Sequence, residues 1–281
     1  KVPGLPAHSA RTLEHVRSVL VPSLEAHPDA LLRALGSPDV LAPLMMTMAR
    51  RLSPEDGLRR ALPTLLLGAV SHGALVGSLE YDFPFGTLVH HAGLRVLRFD
   101  EPVLSLDVTP SEAHVVLTNG QRVTLERMAE GRATAPTEPT LDGVRAEHPF
   151  HLIDPRLPGL HLSEYDSNPL FHVQDHPDAR ANAMTLGGAP VSAWQERLRD
   201  ALEFIRVALP GWAREQPVTL QRLVPVGVEP ERHLSASFRE APGLVYMTLH
   251  PDALVMAEAL IHETQHGKLH TLMRLDPVLV N

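Results

Sequence analysis

The segment His262-Glu263-Thr264-Gln265-His266 places two histidines and a carboxylate at a spacing that suits a metal ion. Side chains four residues apart share one face of a helix, so the imidazoles of His262 and His266 can reach the same ion. Glu263 is offset to the side, and it can act as general base for a metal-bound water or hold a ligand in place. An ion with two or three protein ligands keeps positions open for water or substrate. We therefore predict a catalytic metal site here; the alternative is a solvated helix face that carries several His and Glu residues.

Two more residues of the same helix are candidates for a supporting role. His270 follows His266 by four residues, but three successive turns of a straight helix diverge around a single ion. A surface or supporting role is therefore predicted for His270 rather than ligation. Glu258 lies one turn before His262 and is a similar supporting candidate.

The residues after the motif bear on the third metal ligand. The metzincin pattern needs Gly and His at the positions held by Leu269 and Leu272, so it is not met. A thermolysin-like site needs a Glu ligand further downstream, and Thr271–Asn281 contains no Glu. We expect the sequence to stop before the third ligand.

Other histidine patterns favour structural roles. The string His-Pro-Asp occurs at 27–29, 176–178 and 250–252, and three copies favour helix starts, with Pro at the first helical position and Asp in the first turn. His172 and His176 are also four apart, but Pro177 prevents a helix there. The segment 166–169, Asp-Ser-Asn-Pro, predicts a turn that could also line a pocket.

Composition excludes several classes of protein. The 281 residues carry a net charge of −8 and only 4% aromatic side chains, which argues against a nucleic-acid binder. There is no cysteine, so a thiolate can neither bind metal nor attack a substrate, and the 17 histidines and the carboxylates remain as ligands. No apolar run is long enough to span a membrane, and no secretory signal is evident. A cytoplasmic location is compatible with these features, and the Pro and Arg content is typical of a high-GC bacterial genome.

Hydrophobic periodicity predicts an α+β fold that is mainly helical, with a small β region. Residues 1–92 form a helical N-terminal region. Residues 93–148 form a β-rich region, with a hairpin at Asn119-Gly120 and a linker or mobile loop at 129–143. Residues 149–281 form the metal-binding region, in which a helix over 192–209 and three strand-like pieces precede a long helix from Pro251 to about Leu275 that packs, zincin-like, on a short sheet.

A family resemblance is carried by three pieces of this last region: the segment 165–170 (Tyr-Asp-Ser-Asn-Pro-Leu), the helix containing Trp194, and Gly243-Leu244-Val245-Tyr246 leading into 260–269, with the pattern HExxHxKL. The chain resembles the HExxH-motif proteins of bacterial peptide natural-product clusters, a group described as alpha-ketoglutarate-dependent peptide beta-hydroxylases. The resemblance covers roughly residues 150–281.

The resemblance implies an enzyme that uses iron(II), alpha-ketoglutarate and O2 to hydroxylate a beta-carbon of a ribosomally made precursor peptide. His262 and His266 would be iron ligands, and Glu263 would support the site rather than act as a base. The family's further His ligand and the keto-acid clamp are not assigned to residues of this chain.

Two other functions stay open. The motif alone is also typical of a zinc metallopeptidase of the zincin type. A non-catalytic module that binds a precursor peptide is the third possibility, because the strand-rich region 94–126 could add a peptide strand at an exposed sheet edge. The sequence leaves a homo-oligomer possible.

Overall fold

A computed structural model describes residues 7–82, 87–90, 94–129, 132–134, 144–166, 168 and 184–275. The protein is a mixed α+β structure with several small sheets, 45% helical and 25% strand, so the α+β prediction is confirmed. The chain divides into two compact units, Lys1–His148 and Pro149–Asn281. None of the helices in the described ranges is long and apolar enough to cross a membrane.

Unit 1 begins with four helices. They are α1 (Ala7–Ala26), α2 (Pro28–Leu35), α3 (Pro38–Met48) and α4 (Pro54–Ser71). Ser37 and Ser53 cap α3 and α4 by accepting hydrogen bonds from backbone N–H groups of the first turn. Residues 61–71 of α4 are all buried, which fits the mostly apolar composition of this part of the helix.

In the described part of unit 1, eight strands follow the helices. They are β1 (Leu79–Tyr81), β2 (Thr87–His90), β3 (Arg95–Phe99), β4 (Val103–Val108), β5 (Glu112–Leu117), β6 (Arg122–Ala129), β7 (Arg132–Thr134) and β8 (Val144–Glu147). One sheet has the order β1-β4-β5-β6-β7 and the other the order β2-β3-β8, and every neighbouring pair is antiparallel. Buried apolar residues of α1–α4 and of both sheets form one core.

The predicted β region of unit 1 is correct in part. The hairpin at Asn119-Gly120 is confirmed: it joins β5 and β6, and Gly120 has a φ of 85°, which favours glycine. Strands β1 and β2 lie inside the region 1–92, for which the sequence predicts helices. Most of the predicted linker, 129–143, lies outside the described residues, and 132–134 forms β7.

The described residues of unit 2 form one sheet and three helices. Its elements are β9 (Phe150–Leu152), β10 (His161–Ser163), α5 (Val191–Ala208), α6 (Trp212–Thr219), β11 (Leu220–Val228), β12 (Ser235–Ala236), β13 (Gly243–Leu249) and α7 (Ala253–Leu275). The sheet order is β12-β13-β11-β10-β9, with β13, β11 and β10 parallel and the two edge strands antiparallel. The predicted helices over 192–209 and 251–275 correspond to α5 and α7.

The two faces of this sheet differ in chemistry. The apolar face carries Leu162, Leu223, Val245 and Met247, which share one buried cluster with α5 and α7. Residues one position along the strands, such as Arg222 and Tyr246, point to the opposite face and are also buried. The sheet therefore presents its apolar side to the helix that carries the histidine pair.

Candidate metal centre

The side chain of Asp252 caps the start of helix α7. Asp252 precedes the helix, and its Oδ1 accepts a hydrogen bond from the backbone N–H of Leu254 at 2.8 Å. The backbone N–H of Asp252 donates to His250 Nδ1 at 3.0 Å. Thus this His-Pro-Asp string forms a helix start, as predicted, although Pro251 lies before the cap rather than in the first turn. The copy at 27–29 also starts a helix, and the copy at 176–178, like His172, lies outside the described residues.

The two histidines of the motif lie side by side on the exposed side of α7. The Nε2 atoms of His262 and His266 are 2.9 Å apart, and the ring centroids are 4.5 Å apart. With metal–nitrogen bonds of about 2.1 Å, two adjacent ligands of an octahedral ion have nitrogens about 3.0 Å apart. The distance is that of an N–H···N hydrogen bond between the two rings, and it is also compatible with both Nε2 atoms binding one ion.

An open groove runs beside the pair. It has a volume of about 460 Å³ and is lined by Glu258, Ile261, His262, Gln265, His266 and Leu269. All six residues lie on one side of α7, because their spacings of three and four residues repeat the helical turn. A ligand or substrate in the groove can reach the imidazoles directly. Glu258 is the acidic residue among those that line the groove.

Glu263 faces away from this groove toward the edge strand β12. Its side chain is buried, with 5% of its surface exposed. Oε1 accepts a hydrogen bond from Ser235 Oγ at 2.8 Å and Oε2 accepts one from Ser237 Oγ at 2.7 Å. Both carboxylate oxygens thus accept serine hydroxyls, so the structure separates the three motif residues into an exposed histidine pair and a buried carboxylate.

His270 extends the row of imidazoles by one turn. Its ring is stacked on that of His266, with centroids 6.1 Å apart and an interplanar angle of 28°. The close Nε2–Nε2 approach of 2.9 Å is between His262 and His266, one turn before His270. In the portion of the chain that is described, no cluster of three or more His, Asp or Glu side chains is arranged to hold one ion.

Ser235, Ser237 and His233 are site neighbours that the sequence did not single out. His233 lies just before β12, and its Nδ1 is 3.3 Å from Thr248 Oγ1. Burial of the ring, together with the nearby His250, lowers the pKa of His233 to about 4, against a smaller opposing effect of Glu263. The signal in the sequence was the two-residue spacing of Ser235 and Ser237, which puts both hydroxyls on one side of an extended chain. The strand itself covers only Ser235–Ala236.

The turn over 166–169 is confirmed at its described residues, and it lies at the opposite face of the sheet. Asp166 Oδ1 accepts the backbone N–H of Asn168 at 2.9 Å, which is an Asx turn. The same oxygen accepts the hydroxyl of Tyr246 on β13 at 2.7 Å. Burial and the Asp166 carboxylate raise the pKa of Tyr246 well above its usual value. The turn is thereby tied to the strand that leads into α7.

No protein-family model, curated protein or solved structure matches this chain.

Proposed function

We propose that this chain is an iron(II)- and alpha-ketoglutarate-dependent oxygenase that hydroxylates a beta-carbon of a ribosomally made precursor peptide. The observation that carries the proposal is the close approach of the two exposed imidazoles on one face of α7, with Nε2 atoms of His262 and His266 2.9 Å apart. The choice of iron and keto acid comes from the resemblance of residues 150–281 to the HExxH-type peptide hydroxylases. A zincin-like packing of the HExxH helix on a short sheet is part of the same proposal, supported by the apolar cluster that α7 shares with β13.

The position of Glu263 favours an oxygenase over a zinc peptidase. A peptidase of this motif needs the glutamate within reach of the metal-bound water, because the carboxylate removes its proton. Here both oxygens of Glu263 accept from Ser235 and Ser237 in a buried location. Freeing the carboxylate would break two hydrogen bonds to a charged group, at about 1.5–3 kcal/mol each.

The histidine pair and the groove would have different roles in the proposed reaction. His262 and His266 would hold the ion, and their exposure leaves its other positions open for a bidentate keto acid, O2 and a further ligand. A bound iron(II) ion with alpha-ketoglutarate supplies O2-dependent hydroxylation, in which one oxygen atom enters the product hydroxyl and the other enters succinate as CO2 leaves. The groove beside the pair is where the peptide side chain would lie, with Ile261 and Leu269 as apolar contacts.

The direct test is anaerobic reconstitution with iron(II), followed by titration with alpha-ketoglutarate while the visible charge-transfer band is recorded. We expect a band in the wild-type protein and none in His262→Ala. The matched control is His151→Ala, which removes a histidine on β9 that pairs with Glu164, and it should keep the band. Absence of the band from the wild type, with tightly bound zinc in the purified protein, would refute the oxygenase and favour the peptidase. Absence of any bound metal would favour a peptide-binding module.

Glu263→Gln separates the two enzyme classes further. The amide cannot act as a base, so a zinc peptidase would lose about 10²-fold or more in its rate. In the proposed oxygenase, glutamine keeps the shape of the side chain and an acceptor for one serine, so the charge-transfer band should persist. Peptide cleavage that is present in the wild type and absent from this variant would contradict the proposal.

A further inference from the structure

The solvent-facing side of α7 carries large apolar residues. Leu254, Leu269 and Leu272 are 61%, 48% and 55% exposed. Helical spacing places all three on the side of the helix that carries His262 and His266, opposite the buried residues. A surface helix normally carries polar side chains on this side, and exposed apolar patches mark interaction sites. We call the groove residues together with these three leucines the open face of α7, and this face is a candidate docking surface.

The two ends of the open face differ in charge. Glu258 lies in the groove one turn before the histidine pair. Asp252 lies at the start of α7, where it lines a second cavity of about 650 Å³ together with residues of α5. In that cavity Arg197 offsets the charge of Asp200, with 3.7 Å between the charged atoms, so Asp252 and Glu258 are the carboxylates left to attract a cation. After Glu263 the helix has no further carboxylate. A partner that complements this face is therefore basic at one end and apolar at the other.

Distances along the helix match the repeat of an extended peptide. At a rise of about 1.5 Å per residue, Leu269 and Leu272 lie about 7.5 and 12 Å along the axis from the midpoint of His262 and His266. Two and four residues of an extended chain span about 6.6 and 13 Å, and their side chains point the same way as that of the central residue. In the other direction Glu258 lies about 9 Å away, which a lysine two residues from the centre can reach. An extended chain can therefore place one side chain at the pair and alternate side chains on both halves of the face.

We propose that the open face of α7 binds the peptide substrate as an extended chain, with basic residues on the Glu258 side of the modified residue and apolar residues on the Leu269 side. The inference deepens the proposed function and rests on it for the reaction at the central residue. A second copy of the chain laid across this face would cover the groove and both imidazoles. A single extended chain is narrow enough to bring one side chain to the pair while cofactors reach the ion from the side.

The test is fluorescence polarisation of a labelled synthetic peptide with the full-length, metal-free protein. The peptide has a central valine, lysines two and four residues before it, leucines two and four residues after it, and serine or glycine elsewhere. Its reversed sequence is measured too, because the face sets the order of side chains and not the chain direction. We expect one of the two to bind, and Glu258→Lys to weaken that binding about 5-fold or more, since an attraction is replaced by a repulsion. A peptide with glutamate in place of the lysine nearest the valine should bind Glu258→Lys more tightly than it binds the wild type.

The apolar half of the face is tested with the double variant Leu269→Ser/Leu272→Ser. Both leucines are about half exposed, so a bound peptide would cover apolar surface that the free protein leaves in water, and the variant should bind the peptide about 10-fold more weakly. The matched control is Val207→Ser on α5, which changes a residue that is 70% exposed and lies outside the open face. It should leave the affinity unchanged, and thermal unfolding should show that all of these surface variants remain folded.

The outcomes distinguish this inference from the proposed function, because peptide binding is measured without iron or keto acid. If the wild type binds neither peptide, or if Glu258→Lys and the double leucine variant bind as the wild type does, the docking surface is refuted whatever the charge-transfer band shows. If the wild type sediments as a dimer and the double leucine variant as a monomer, a second copy covers the face and the inference is overturned. If the peptide binds as expected and the charge-transfer band is absent, the docking surface stands and the oxygenase is refuted.

Discussion

Replacement of Glu263 should destabilise the protein even without metal, because the carboxylate is a buried structural partner. Its side chain is 5% exposed and accepts two serine hydroxyls. Two hydrogen bonds to a charged group contribute about 3–6 kcal/mol together. Part of this gain is offset by the desolvation of the buried carboxylate, which amounts to several kcal/mol in proteins. For Glu263→Ala we therefore expect the free energy of unfolding to fall by about 2–4 kcal/mol.

Glu263→Gln should cost less than the alanine variant. The glutamine oxygen accepts from one serine, and its amide nitrogen can donate to the hydroxyl oxygen of the other, so a cost of about 1 kcal/mol is expected. The control is Glu258→Ala on the same helix, an exposed residue whose loss should change stability by less than about 0.5 kcal/mol.

Urea unfolding followed by tryptophan fluorescence is a suitable assay. The chain has two tryptophans, Trp194 and Trp212, and both are buried in the unit that carries α7. The reasoning would be refuted if Glu263→Ala cost no more than Glu258→Ala. It would also be refuted if glutamine were as damaging as alanine, because the two acceptor bonds would then not explain the loss.

Three further predictions concern other parts of the chain. Burial holds the pKa of His233 at about 4, below the value of about 6.5 in an unfolded chain, so the unfolded state binds a proton at higher pH than the folded state does. The free energy of unfolding should therefore decline as the pH falls from about 6.5 to 4. The NMR signal of His233 in the folded protein should not titrate between about pH 5.5 and 8. A Cβ added at Gly57 would lie 1.7 Å from Thr47 Oγ1, so Gly57→Ala should cost about 1–3 kcal/mol in unit 1, and an unchanged melting curve by circular dichroism would contradict this. Tyr246→Phe removes a buried donor to Asp166 and should cost about 1–3 kcal/mol in urea unfolding, whereas a neutral result would mean that the turn is not tied to the strand.

Local pattern was sufficient to predict the elements with strong periodicity. Helix α5 was predicted because Trp194 and the apolar residues that follow it at three- and four-residue spacing face one side, and all of them are buried. Strand β13 was predicted because a glycine and a proline bound a continuous apolar run. Strand β1 was missed because three residues are too few to show alternation, although Leu79 and Tyr81 are buried on either side of an exposed residue.

The candidate site was predictable only where it is local. The approach of His262 and His266 follows from helix geometry alone, since residues four apart share a face. The partners of Glu263 do not: Ser235 and Ser237 precede it by 28 and 26 residues and meet it only because β12 packs beside α7. Such contacts depend on the pairing of β12 with β13, which no short sequence pattern specifies.

The HExxH string fixes the angles between its three side chains but not the direction in which the helix presents them. Glu263 is about 100° from His262 and about 60° from His266 around the helix, so either the carboxylate or the histidines can face the sheet edge. In this chain the buried apolar residues of α7, including Met256 and Leu260, set the rotation of the helix about its own axis. That rotation sends Glu263 to the serines and leaves the histidines exposed. The side that Glu263 faces therefore depends on the rotation of α7, and in this chain the hydroxyls of Ser235 and Ser237 occupy both of its carboxylate oxygens.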